Sequence, residues 1–304
     1  MIITECIEQV SRQLDKAGLS FGHGTDNARD EAAWLVLHVA GAPLDGNFQD
    51  WGRELSQEKE LEISRLAGAR CESGLPLAYL LGTARFAGLE FEVDDQVLVP
   101  RSPLAELILD QYRPWIEPAR VSRMLDMCTG SGCIAIASAI YLPLARVDAA
   151  DISSQALEVA RRNVQRHGIA ERVTLIESDL FQSLPPCHYD LIVANPPYVP
   201  ERSLPELPAE YRAEPALGLA SGGDGLDAAL SILLDAPEFL SEDGVLVCEV
   251  GESEERLAAV LPRVPFLWLE FERGGSGVFV LTKDQLEKAG ADLAALIGKR
   301  QHVV

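Results

Sequence analysis

The chain has 304 residues, with 26 Lys+Arg against 47 Asp+Glu and a formal net charge of -21. Apolar residues make up 47% and charged residues 24%, a globular composition that excludes collagen-like and disordered architectures. Such acidity repels polyanions, so a nucleic-acid binder with a basic surface is not the default reading.

At roughly 150 residues per domain the length suggests one large or two modest domains. The opening MIITECIEQVSRQLDK lacks a basic-then-apolar signal pattern,. No apolar run approaches the roughly 20 residues of a membrane helix. Cys6, Cys71, Cys128, Cys133, Cys187 and Cys248 form no Cys-x-x-Cys pair, which suits free thiols in a reducing compartment. His23, His38, His167, His188 and His302 are scattered, so no metal site is expected. The expected location is the cytoplasm.

Ile7, Val10 and Leu14 repeat at helical spacing. Asp26 is a candidate cap for a second helix ended by Gly41 and Pro43, and residues 55–69 give a third amphipathic segment,. Residues 84–99 alternate apolar and polar and predict a β-hairpin turning near Ala87-Gly88,. A short helix is expected over 103–112. From Arg123 strands and helices alternate. RMLDM, ARVDAADI, RVTLIESDL, YDLIVAN and GVLVCEV read as strands. SGCIAIASAIYL, SSQALEVARRNVQRHG, residues 225–240 and SEERLAAVL read as the helices between them, and FLWLEF and GVFVLT close the series. This alternation predicts an α/β, doubly wound, mostly parallel sheet with an antiparallel C-terminal strand. The expected division is a helical domain over 1–80, a hairpin linker over 81–102 and an α/β domain over 103–304. Residues 195–224 are rich in Pro and Gly and weakly periodic, a long loop of the kind usually functional or mobile,.

Four places carry chemistry. Asp126-Met-Cys-Thr-Gly-Ser-Gly132 follows a strand and opens a helix. Its glycines allow a tight turn and close ligand approach, although Cys128 stands where a first glycine would be. Asp151 ends the next strand, nineteen residues beyond Gly132. An acid there can accept both hydroxyls of a ribose, or simply serve the following helix as a cap or turn residue. Asp179 follows the third strand, placed to accept from an adenine amino group, with Leu180 and Phe181 either covering adenine or packing in the core. Asn195-Pro-Pro-Tyr198 follows YDLIVA. Two prolines fix the backbone and remove two amide donors, leaving carbonyls as acceptors. The Asn195 side chain adds an acceptor and a donor, and Tyr198 a flat face. The group suits a planar substrate carrying an NH₂.

With these residues the chain resembles class I S-adenosylmethionine-dependent methyltransferases that act on planar nitrogens, and over nearly its whole length the protein glutamine N(5)-methyltransferase family. Phe21-Gly-His-Gly-Thr-Asp-Asn27, Val99-Pro-Arg-Ser-Pro103 and Leu125 to Cys133 are similar to members acting on large-subunit ribosomal protein L three. Members acting on the Gly-Gly-Gln of peptide release factors are the alternative, and no physical argument separates the two substrates. The resemblance implies a seven-stranded fold with S-adenosylmethionine bound by Asp126, Cys128, Thr129, Gly130, Ser131, Gly132, Asp151, Asp179, Leu180 and Asn195. It implies substrate held by Asn195, Pro196, Pro197 and Tyr198, with Asn195, Pro196 and Tyr198 catalytic. Glu106 matches an acid of the family without an assigned role. The partner implied is a basic ribosomal protein, free or during ribosome assembly, docking on the helical domain over 1–80 and on the 199–224 loop, with no membrane and no direct DNA contact. A DNA amino-group methyltransferase shares the Asn-Pro-Pro-Tyr chemistry, a nicotinamide dehydrogenase shares the glycine loop and ribose acid, and a non-catalytic adaptor would share the fold.

Overall fold

Ile3, Cys6, Ile7, Val10 and Leu14 recur at helical spacing and bury one face of α1 (Ile3–Lys16),. In the computed structural model, which describes residues 1–44 and 46–301, this helix belongs to the first of two units. That unit comprises residues 1–95, 99–101 and 207–214. His302 lies outside the described residues. Helix α2 (Ala28–Ala40) is capped by Asn27, whose side chain accepts from Asp30 N at 2.9 Å. The expected cap, Asp26, instead accepts from the Asn27 amide. Helix α3 (Gln57–Ser73) starts at Ser56 and ends at Gly74. Helix α4 (Leu77–Leu81) was not anticipated, because five residues after a proline are too few to show a period. Strands β1 (Thr83–Phe86) and β2 (Leu89–Glu92) pair antiparallel about Ala87-Gly88. The hairpin is shorter than its alternating pattern suggested. It falls in the same compact unit as the helices, and Ala84, Phe86 and Phe91 are buried.

A buried ion network ties this unit together. Arg70 is 1% exposed. Its guanidinium donates to Glu31 at 2.8 Å, Glu210 at 3.2 Å and the Ser20 carbonyl at 3.1 Å. Glu214 accepts from Arg101 Nη2 at 2.7 Å and Val99 N at 2.9 Å. Residues 207–214, expected in the α/β domain, therefore supply two acids to the helical unit.

The second unit comprises residues 96–98, 102–206 and 215–304. Helix α5 (Leu104–Leu109) precedes β3 (Arg123–Met127), α6 (Cys133–Tyr141), β4 (Arg146–Asp151), α7 (Ser154–Arg166), β5 (Val173–Glu177) and β6 (Tyr189–Ala194). Then come α8 (Asp227–Phe239), β7 (Leu240–Glu249), α9 (Glu254–Val260), β8 (Leu267–Trp268), β9 (Val278–Thr282) and α10 (Lys283–Gln301). The seven strands run in the order β5-β4-β3-β6-β7-β9-β8. Pairs from β5 to β7 are parallel, and β9 is antiparallel to both its neighbours. The central strands are buried apolar runs, as a sheet covered on both faces requires,. Strand β8 is two residues long rather than six. Trp268 is held by aromatic packing, 5.3 Å from the Phe279 ring, while Leu267 is exposed. Helix α10 lies beyond the last expected element and buries Leu286, Ala289 and Leu293 in the core cluster.

The excursion after β6 is closed at its base. Val199 pairs with Ala220, Val199 N donates to Leu219 O at 2.8 Å, and Ser221 N returns to Val199 O at 3.0 Å. No described helix is long and apolar enough to cross a membrane.

Candidate active site

Strand β3 ends at Met127 and the chain turns into α6 through residues 128–132. Cys128, Gly130 and Gly132 have φ of 62°, 55° and 79°. A Cβ on Gly132 would lie 3.2 Å from both Ala160 Cβ and Ile136 Cδ1, a tight contact at a left-handed backbone position that favours glycine,. Gly130 faces open space. Thr129 N donates to Ala150 O at 3.0 Å, and Asn163 Nδ2 to Ser131 O at 2.9 Å, so the loop is pinned to β4 and α7. Asp126 is fully buried. One of its oxygens accepts from Thr129 Oγ1 and from Ala135 N at 3.0 Å. The other, Oδ1, has no hydrogen-bond partner among the described residues. Burial pushes its carboxyl up to about 7, against the pull of those two donors,.

Asp151 ends β4 with one oxygen accepting from Gly130 N at 2.8 Å and the other from Ser153 N at 2.9 Å. Burial raises its pKa and the amides of Ser153 and Gly130 oppose this. It is a turn residue but not the cap of α7, a role Ser153 takes by accepting from Ala156 N. Asp179 is exposed and accepts from Gln182 at 2.8 Å. Leu180, half-buried, holds a left-handed φ of 47°. Phe181 takes the core alternative, stacked on Phe239 at 4.7 Å.

Parallel pairing of β6 with β3 places Asn195 beside the glycine loop, and Asn195 N donates to Met127 O at 3.4 Å. Pro196 is buried; Asn195, Pro197 and Tyr198 are half-buried. Tyr198 is held from the far side of β7, by contacts the sequence did not announce. Its hydroxyl donates to Glu249 Oε1 at 3.3 Å, and Ser102 Oγ donates to the other oxygen of Glu249. Ser253 Oγ donates to Tyr198 O at 2.9 Å. A Cβ on Gly251 would lie 2.7 Å from the Tyr198 ring, and one on Gly225 2.2 Å from its carbonyl oxygen. The available signal was Glu249 at the carboxyl end of a strand with glycine two residues on. Glu106 lies apart from this cluster, where its carboxylate accepts from Glu272 N and Arg273 N at 3.0 and 2.9 Å and fixes that loop.

A seven-stranded sheet with an antiparallel strand inserted near its end, a glycine turn after its first strand and an acid ending the second together define a class I methyltransferase, with S-adenosylmethionine as cofactor. The residues present fit that molecule: open space over Gly130, an idle buried oxygen on Asp126 and a carboxylate at the end of β4. The methyltransferase small domain model matches residues 113–212. The catalytic domain of hMettl16 in complex with an RNA hairpin shares the fold at a TM-score of 0.52 and 15% identity, covering 82% of this chain and 92% of that one. A ribosomal protein uL3 glutamine methyltransferase of Xanthomonas campestris is 48% identical over 299 residues, 98% of this chain and 96% of the relative. One of Bordetella pertussis is 46% identical over 287 residues, 93% and 96% of the two chains. The chain belongs to the ribosomal protein uL3 glutamine methyltransferase family.

Proposed function

We propose that this enzyme transfers a methyl group from S-adenosylmethionine to the side-chain amide nitrogen N(5) of a glutamine in ribosomal protein uL3, met in the cytoplasm free or during assembly. The names of the relatives support the substrate. The observation that carries the chemistry is Asn195-Pro-Pro-Tyr198 at the carboxyl end of β6, beside the glycine loop. Neither a membrane nor DNA enters this reading.

In this reading Asp126, Cys128, Thr129, Gly130, Ser131, Gly132, Asp151, Asp179, Leu180 and Asn195 hold the cofactor, which supplies an activated methyl on a sulfonium. Asn195, Pro196, Pro197 and Tyr198 hold the glutamine amide. The amide lone pair is delocalised into its carbonyl, so the nitrogen is a weak nucleophile and must be fixed near attack distance. The Asn195 side-chain oxygen and the Pro196 carbonyl accept its two N–H bonds, and Tyr198 covers its plane. These acceptors stabilise the positive charge that grows on nitrogen as the N–C bond forms. The N-methylated, still protonated amide is a strong acid, so a proton leaves after attack without a strong base.

The test is label transfer from methyl-labelled S-adenosylmethionine to free uL3, a release factor and duplex DNA, with the site located by peptide mass spectrometry. One glutamine of uL3 takes the label, and Asn195→Ala lowers turnover by about a hundredfold, in line with loss of a transition-state acceptor. Cofactor affinity falls far less than turnover in that variant, because the other residues named for the cofactor remain in place. Labelling of the release factor alone would overturn the substrate, and near-normal turnover in Asn195→Ala the mechanism.

A further inference from the structure

The excursion after β6 comes back to α8 through residues 221–226, and this return leg lies against the outgoing one. Gly222 O accepts from Glu201 N at 3.0 Å, and Ser221 Oγ from Ala228 N at 2.9 Å. Gly222 has a φ of 64°, and a Cβ there would lie 1.9 Å from Asp227 Oδ2. Gly225, buried, has a φ of 82° and leaves no room for a side chain beside the Tyr198 carbonyl. Where the return leg runs therefore decides where the main chain of Tyr198 can be.

Asp224 stands at the corner of this leg. Its Oδ1 accepts from Leu226 N at 3.2 Å and from Arg300 Nη2. The same Arg300 nitrogen donates to Asp227 Oδ1 at 2.8 Å. Arg300 belongs to the last turn of α10, whose Leu286 and Leu293 share a core cluster with Leu230 and Leu233 of α8. The Asp224 carbonyl accepts from Arg256 Nη1 of α9, and that nitrogen also donates to Ser253 Oγ at 3.1 Å. Ser253 Oγ in turn donates to Tyr198 O at 2.9 Å. An unbroken line of polar contacts thus runs from α10 through residue 224 and α9 to the substrate turn.

The pair at its outer end is part-buried, with the Arg300 side chain 27% exposed and that of Asp224 34%. Burial raises the Asp224 carboxyl, but the Arg300 guanidinium outweighs it and holds the group below its usual value,. A planar, always charged guanidinium spanning one acid on the leg and one on α8 fixes the two relative to each other.

We propose that Arg300, acting through Asp224 and Arg256, is a positioning residue that holds the return leg against Tyr198 and so keeps the Asn195–Tyr198 turn in the geometry that presents the substrate amide. The brace itself rests on these contacts; its effect on turnover rests on the function proposed above.

The experiment has two arms on the full chain. In the first, methyl transfer to free uL3 is measured for wild type, Arg300→Met, Arg256→Met, the double variant and Arg300→Lys. A full ångström of misplacement costs roughly a hundredfold, so a loosened rather than displaced turn lowers kcat about tenfold in each Met variant. KM for uL3 and cofactor affinity stay at wild-type values, and the double variant is no worse than either single change. Part-exposed ion pairs contribute little to stability, so the thermal midpoint of Arg300→Met stays close to wild type. Arg300→Lys keeps the charge and recovers most of kcat. Normal kcat in Arg300→Met, or a loss that Arg300→Lys does not restore, overturns the proposal while leaving the reaction intact. In the second arm, amide hydrogen exchange is followed by nuclear magnetic resonance without substrate. The amides of Val199, Glu201 and Ser221, which bond across the base of the excursion, exchange about tenfold faster in Arg300→Met, as local opening requires. Those of Ile192 and Val193 in β6 keep their wild-type rates. Unchanged exchange at the three positions overturns the brace whether or not uL3 is labelled. Faster exchange there, with no labelling of uL3 by wild type, keeps the brace and rejects the substrate.

Discussion

Asp126 keeps one oxygen idle inside the protein, and that has a measurable cost. Its carboxyl is raised by burial to about 7, above the usual carboxylate value of about 4,. Between those two values the folded chain holds a proton that the unfolded chain has released. Stability of the cofactor-free protein therefore falls as pH rises from about 4 to about 7, by on the order of a few kcal/mol. Asp126→Asn removes that slope, which thermal unfolding of both proteins from pH 4.5 to about 8 will show. At the other side of the site, Glu249 fixes the Tyr198 ring through its hydroxyl. Tyr198→Phe and Glu249→Ala each lower kcat/KM for the protein substrate about tenfold, the scale of one lost hydrogen bond to a charged group. The double variant is no worse than either single change, cofactor affinity is unaltered, and Glu249→Gln keeps most activity. Steady-state kinetics on the four variants decide this. The contrast between Asn195 and Glu249 shows what a sequence displays. Asn195 stands in a contiguous run whose chemistry can be read from four letters. Glu249 is 51 positions beyond Tyr198 and becomes its neighbour through the pairing of β6 with β7, which places Ala194 opposite Cys248.

Among the elements, α10 closes the core. Leu293 is 1% exposed, so Leu293→Ala removes buried methyl groups and leaves a cavity, costing about 2–5 kcal/mol in urea unfolding. Its spacing with Leu286 and Ala289 was legible, but the alternation of strands and helices that carried the reading ended at β9. Short elements were illegible for a different reason. Helix α4 and strand β8 are set by what they pack against, and neither is long enough to show a period. Long elements with one apolar face, such as α1 and α7, and the apolar strand β6 could be read directly. In the helical unit the Arg70 network joins α2 and α3 to the loop before α2 and to residue 210. Arg70→Met strands two buried carboxylates and costs about 3–5 kcal/mol at neutral pH. Burial already raises the Glu31 pKa against the pull of Arg70. The loss therefore shrinks as pH falls and the stranded Glu31 takes up a proton, and urea titrations at two pH values test it.

For the whole molecule, the formal charge of -21 predicts a kinetic effect on a basic protein substrate,. Raising ionic strength from about 0.05 to about 0.5 M shortens the screening length about threefold. kcat/KM for uL3 falls several-fold while kcat at saturation is unchanged; a flat salt profile rejects steering. The path of the chain adds a constraint of another kind. Neither unit is one continuous stretch, and Glu210 and Glu214 of the helical unit follow most of the strands in sequence. During synthesis the helices of this unit are made well before these acids, and Arg70, His23 and Arg101 meet them only once residues 210 and 214 have been made. A unit begun early is thus completed late, and a nascent chain halted after residue 101 would hold Arg70, Arg101 and His23 with Glu210 and Glu214 not yet made.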